Sequence, residues 1–296
     1  MTRMLWADRA ATALLWAIAV GVVAVLVAII GHFVLASLGT LSLGFLTEDP
    51  SDLAIGGVGP VLFNSAYVLV LTLLMTVPLG ILGGIYMAEY AGDGRTTAII
   101  RFCQELISSV PSIVVGMFGL ALFVSATHWG YTALGGSLAL VVFNLPLMAR
   151  LTEQAIRAVP QDERHGSLAL GATKWHTIRH VVLPIAIPGI VTGIILTAGR
   201  IFGEAAALIF TSGLSTPTGY DFGNLNLLDA RSPWSPLHPA TTLSVYIWKS
   251  NAEGLGLFVR QVADASAALL VLMVLAFNLG ARGLGRLLQR RMTGAT

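Results

Sequence analysis

The chain has 296 residues, of which 55% are hydrophobic and only 11% charged, with a formal charge of +2 and a mean hydropathy of +0.80. A soluble domain carries about 25% charged residues, so a water-facing globular domain is excluded, and no nucleic-acid partner is expected. The single cysteine, Cys103, rules out an internal disulfide and any paired-cysteine metal motif.

Six apolar stretches follow in chain order. The first spans about 10–38, roughly twice the ~7–15 residues of a signal-peptide core, and reads as a retained span. The second covers about 60–86 and is interrupted by Pro78, Gly80, Gly83 and Gly84. The third covers about 98–127, with Pro111 inside it and Cys103 as a small apolar residue of the span. The fourth, about 133–148, carries Asn144 and Pro146 and is the shortest. The fifth covers about 181–212 and the sixth about 262–284. All but the fourth exceed the ~20 apolar residues that cross a ~30 Å hydrocarbon core.

Basic residues fix the expected orientation. With the N-terminus inside, the inner segments hold Arg3, Arg9, Arg95, Arg101, Arg150, Arg157, Arg164, Lys174, Arg179, Arg282, Arg286, Arg290 and Arg291, which is 13 of 17. The outer segments hold only Arg231, Lys249 and Arg260, and Arg200 lies within a span. The first outer loop, with Glu48, Asp49 and Asp52, has none. The positive-inside rule then predicts two cytoplasmic termini.

Two polar segments break the run of spans. The outer one, about 213–259, contains Pro217, Pro233, Pro236 and Pro239, and its stretch Thr241–Lys249 has the aromatics of an interfacial segment. A loop of that length is either functional or a plain connector. The inner one, about 151–180, predicts a polar helix, a break at Gly171 and a second short turn, before Pro184 and Pro188 open the fifth span. Leu168 and Leu170 are available to a partner there.

Arg200 follows Pro184 by 16 residues, about 24 Å along a helix, which puts it near mid-membrane. Charges at that depth face a protein interior or a wet cavity. Glu204, four residues on, is expected on the same face and within reach. The bland alternative is an ion pair that only locks two helices. Gly199 and Gly203 form a small-xxx-small pair that allows close helix packing. Glu105, near the inner end of the third span, reads as a residue that snorkels to headgroups or gates.

The inner loop resembles the ATPase-docking loop of binding-protein-dependent ABC importer permeases: a small-residue helix, a glycine, about nine residues, then Leu-Pro. Where that family begins Glu-Ala-Ala, this chain has His165, Gly166 and Ser167, followed by Gly171, Val181, Leu183 and Pro184. The resemblance assigns ATPase coupling to Arg164, His165, Gly166, Ser167, Leu168, Gly171, Ala172 and Thr173. Two further motifs are similar to the PstA-type phosphate-importer permeases. One is GRxxGE around Arg200 and Glu204; the other is QxxxSSxPSIVxG, carried by Gln104, Ser108, Ser109, Pro111, Ser112, Ile113, Val114 and Gly116. Thr173–Trp175 adds a third match, and the likeness runs from about Val58 to the end.

That resemblance implies an all-α membrane protein with six transmembrane helices in the MetI-like type I ABC importer permease fold. Residues 1–58 would form the first helix and outer loop, 59–288 the permease domain and 289–296 a cytoplasmic tail. The implied partners are a paralogous PstC-type permease, two PstB-type ATPases, an external PstS-type phosphate-binding protein and membrane lipid. No cofactor is expected in this chain, with ATP and magnesium on the ATPase. The absence of a G-x-x-x-x-G-K-[ST] loop agrees. A guanidinium suits phosphate oxygens, and Arg200, Glu204, Ser108, Ser109 and Ser112 are the expected substrate-pathway residues. Span serines also bond back to their own helix carbonyls. Permeases for molybdate, sulfate or an organic solute, and an ion-coupled carrier, are the alternatives; no inverted repeat of the carrier kind relates 1–150 to 151–296.

Overall fold

The computed structural model describes residues 2–51, 56–92, 94–215, 218–229, 232–254 and 258–293. Asp52, Pro217 and Arg231 lie outside the described residues, as do the side chains of Arg3 and Arg291.

The described residues are helical throughout the apolar stretches. Helix α1 (Thr2–Ser37) packs along α12 (Val259–Thr293) and exposes Leu14, Leu15, Trp16, Val27 and their neighbours. Such a surface needs acyl chains or another apolar protein face against it. A short α2 (Leu43–Thr47), N-capped by Ser42 Oγ accepting from Phe45 N–H, seats Phe45 on the start of α3 (Gly59–Ile85). Helix α3 runs on through a π-helical turn, Tyr86–Tyr90.

The longest contact in the molecule is between α3 and α6 (Ala133–Arg157). Small residues explain how close they come. A Cβ on Gly80 would lie 2.5 Å from Met148 Cγ, and one on Gly84 would lie 2.5 Å from Thr152 Cβ. Gly80 pairs with Met148 and Gly84 with Thr152, so the two helices run parallel, and side-chain-free positions let their backbones touch. Contrary to its reading as the shortest span, α6 has 25 residues and is the most enclosed of the five long helices. The polar stretch after Met148 continues the helix because Glu153, 9% exposed, pairs with Arg101 at 2.9 Å and Arg157 at 3.1 Å.

The third stretch is not one straight helix. Helix α4 (Arg95–Ser109) and α5 (Ser112–Gly119, continued by a π-helical turn to Ser125) meet at 97°. Pro111 is the cause. It drives Val110 into the extended region, ψ 133°, because α-helical geometry before a proline clashes with the ring.

The fifth stretch also breaks. After the coupling segment, α9 (Leu183–Gly203) stops at Glu204, whose ψ of 118° is extended, and α10 (Ala206–Thr211) restarts the chain. Helix α10 lies on α5, with Gly116 against Ala207 and Gly119 against Thr211. The predicted interfacial stretch is α11 (Leu243–Glu253); Leu243 and Val245 are fully buried and Trp248 is exposed. One core joins α3, α6, α9, α10 and α12 around Leu140, Phe202 and Leu208, and a second joins α3, α6 and α9 around Met148, Ile156 and Val182.

Candidate coupling surface and substrate pathway

At the arginine-rich end, α7 (Gln161–Ala169) and α8 (Lys174–Thr177) form a hairpin that feeds through a π-helical turn, Ile178–Val182, into α9. Gly171 makes the reversal at φ +82°, a left-handed conformation that costs a residue with a Cβ dearly and glycine nothing. Thr173 Oγ1 accepts from His176 N–H and caps α8. Ser167 Oγ and Thr177 Oγ1 lie 2.9 Å apart and tie the two legs together. Between them opens a hollow of about 470 Å³ lined by Ser167, Leu170, Gly171, Ala172, Thr173 and His176.

Leu170 is 91% exposed, with Leu168 and Trp175 beside it also exposed. Apolar side chains are thus held out at the end of the bundle, around a hollow. His165 and Gly166 are exposed on α7. Arg164 alone among the expected coupling residues turns inward. Its guanidinium pairs with Glu89 and donates to the Ile156 carbonyl at 2.6 Å.

Glu89 was not among the residues singled out by sequence, and it is the hub of this end. Its carboxylate holds Arg164 and its backbone carbonyl accepts from Lys174 Nζ, which also lies 4.7 Å over the Tyr90 ring. Arg157 Nη2 donates to the Met87 carbonyl at 3.2 Å. The hairpin is thus latched to the end of α3 by two cations, Arg164 and Lys174, and α6 by a third, Arg157. Nothing in the local sequence YMAEYAG signals this, because the partners lie more than 60 residues away. Glu105 pairs with Arg150 at 3.4 Å, both exposed; an exposed pair contributes at most about 1 kcal/mol.

In the apolar zone, Arg200 lies with Cζ 3.8 Å from the Phe143 ring centroid, a cation–π stack of α9 on α6. Such a contact offsets part of the cost of a charge in an apolar setting. The expected same-face ion pair with Glu204 is absent. Among the described residues Arg200 forms no ion pair, because the helix ends one residue short of Glu204. That carboxylate instead accepts from Ala207 N–H at 3.2 Å, and its own carbonyl accepts from Ser244 Oγ at 2.7 Å. Glu204 is 9% exposed.

Among the described residues no element packs against Gly199 or Gly203; beyond their own helix, no atom lies within 4 Å of where either Cβ would be. Ser108 Oγ donates to the Gln104 carbonyl and Ser109 Oγ to the Leu106 carbonyl, each at 2.8 Å. Both serines therefore bond back to their own helix. Ser112 opens α5, the helix that brings the third stretch against α10 just beyond Glu204.

Residues 80–294 match the sequence model of the family described as binding-protein-dependent transport system inner membrane component. The chain belongs to that family. This permease is 48% identical over 287 residues to the probable ABC transporter permease protein YqgI of Bacillus subtilis (strain 168), covering 97% of each. It is 33% identical over 245 residues to the phosphate transport system permease protein PstA of Mycobacterium leprae (strain TN), covering 83% of this chain and 75% of that one. The fold is that of a bacterial alginate ABC transporter solved with its alginate-pentasaccharide-bound periplasmic protein. There the TM-score is 0.62 at 16% identity, over 97% of this chain and 98% of that one. The inward-facing MetNI methionine ABC transporter matches at TM-score 0.54 and 19% identity, over 78% and 94%. The permease is accordingly a multi-helix inner-membrane component of an ABC importer, not an enzyme. It works with an ATPase and a binding protein.

Proposed function

We propose that this permease carries inorganic phosphate, with Arg200 as the anion-binding group of the pathway. The observation that carries the reading is that Arg200 is held over Phe143 by its face and paired with no carboxylate among the described residues. Its N–H edges are therefore left for a ligand, and a guanidinium offers phosphate oxygens paired, charge-assisted donors. The PstA relatives and the GRxxGE and QxxxSSxPSIVxG runs support phosphate in particular. Phosphate keeps a proton near neutral pH that Glu204 can accept, whereas sulfate has none to offer.

In this reading the arginine-rich end is cytoplasmic, and the hollow beside Leu170 receives a PstB-type ATPase that holds the ATP and magnesium. A PstC-type permease supplies the other half of the pathway and covers the open face at Gly199 and Gly203. A PstS-type protein delivers phosphate from outside. With the partners co-reconstituted, Arg200→Gln abolishes phosphate uptake at unchanged assembly. Glu204→Gln keeps most uptake but admits sulfate as a competitor, since the amide can donate where the carboxylate only accepts. The double substitution restores nothing, because no ion pair exists to be relieved. Recovery of uptake in the double variant would overturn the assignment of Arg200 to substrate.

A further inference from the structure

Helix α4 carries two unlike faces. At about 100° per residue, Ile99, Phe102, Cys103 and Leu106 fall within an arc of about 100°, and Thr97, Arg101, Gln104 and Ser108 lie opposite. The second face is committed to the protein: Thr97 is 7% exposed and Arg101 pairs with Glu153 of α6 at 2.9 Å. The first face is largely uncovered by the described residues. Ile99 is 61% exposed, Phe102 60% and Leu106 49%, and Cys103 is exposed beside them. Arg95, at the first turn and about 40° from Ile99 on the wheel, is exposed within the same arc, and its long side chain can carry the guanidinium out to the phosphates while the stem stays in the apolar layer.

The next helix fixes the geometry. Helix α5 exposes Ile113, Met117 and Phe118, with Leu122 in the turn that continues it, to the surroundings, as a span does. Helix α4 meets it at 97°. An axis perpendicular to a spanning helix lies along the membrane plane. A re-entrant loop would bury both legs in protein, and α4 leaves its apolar face uncovered.

We propose that α4 is an interfacial helix lying in the plane of the bilayer at the arginine-rich end, with Ile99, Phe102, Cys103 and Leu106 in the boundary between headgroups and acyl chains and Arg95 at the phosphates. An apolar face against acyl chains beside a cation at the phosphates is the arrangement of in-plane amphipathic helices, which sit about 5–10 Å into that boundary. Charge complementarity selects lipid as the occupant, since anionic headgroups attract a basic residue there. Through Pro111 the same helix sets the depth at which α5 enters the membrane, and through Glu153 it rides on α6.

The lone cysteine makes this measurable without altering the protein. A nitroxide is placed on Cys103, and on single cysteines at 99 and 106 in a Cys103→Ser background. The full chain is then reconstituted in phosphatidylcholine–phosphatidylglycerol vesicles, and collision with oxygen and with an aqueous nickel chelate gives each label's depth. Positions 99, 103 and 106 are expected at one common depth just below the phosphates, while labels at 113 and 117 on α5 differ by about 6 Å, the rise of four helical residues. A steady gradient of about 10 Å from 99 to 106, the rise of a continuous span, would overturn the proposal. So would nickel accessibility equal to that of a free aqueous label, or immobilised labels shielded from both reagents, which would mean a protein covers this face.

Discussion

The Tyr220 hydroxyl donates to Asn64 Oδ1 at 3.0 Å and sits among the rings of Phe63, Phe222 and His238. This cluster, with Tyr67 donating to the Trp234 carbonyl at 2.7 Å, fastens the loop between α10 and α11 to the start of α3. Burial pushes the Tyr220 phenol up to about 12 from its usual value near 10, and the Asp49 carboxylate adds to this. A group whose folded value is raised stabilises the fold fully below its unfolded value and loses that contribution as pH climbs to the folded one. The wild-type chain should therefore melt above Tyr220→Phe at pH 8, and the difference should close between about pH 10 and 12. Thermal scans of both chains in detergent check this, and a gap independent of pH would contradict it. The same scale shows where residue spacing misleads. Arg200 and Glu204 have the i, i+4 relation of a helical ion pair, and GEAAA favours a helix. The helix nonetheless ends at Gly203, and the Glu204 carbonyl is taken up by Ser244, 40 residues away, a partner that no local pattern encodes.

At the scale of elements, the hairpin α7–α8 was legible because a polar run, a glycine and a proline pair each have a local meaning. The observed φ of +82° at Gly171 belongs to the same local chemistry. There is open space around that residue, so Gly171→Val meets no clash and costs only backbone strain, about 1–3 kcal/mol. The expected outcome is a chain that inserts and assembles normally but whose ATPase partner is no longer stimulated by loaded binding protein. Normal uptake would make the hairpin a mere connector. The latch on Glu89 was not legible, since its partners are distant in sequence. Glu89→Arg confronts Arg164 and Lys174 with a third cation and should lower stimulated ATPase activity at least tenfold. Adding Arg164→Glu restores the opposite-charge pair and should recover most of that loss, as coupled sites do in a double-mutant cycle. Additive losses would show that the pair does not transmit the hairpin's position. The extent of α6 and the bend at Pro111 fall between these cases. Proline marks a break without saying how sharp it is, and LTEQAIR reads as a loop until Glu153 finds its arginines.

For the whole molecule, composition and the six apolar stretches already dictate a membrane protein, and the motifs around Pro111 and Arg200 carry the family. Substrate identity is a finer matter. The YqgI relative's name specifies none, while the PstA relatives are named for phosphate. The fold-level neighbours serve alginate and methionine systems, so one architecture accommodates unlike cargo and the choice lies in a few pathway side chains. The most direct test is uptake of radiolabelled phosphate into proteoliposomes holding the complete transporter, with ATP inside and loaded binding protein outside. The account predicts ATP-dependent accumulation that excess unlabelled phosphate abolishes and equal sulfate or molybdate leaves within about twofold, and none with Arg200→Gln. Accumulation that sulfate or molybdate suppresses as well as phosphate does, or that survives Arg200→Gln undiminished, would contradict it.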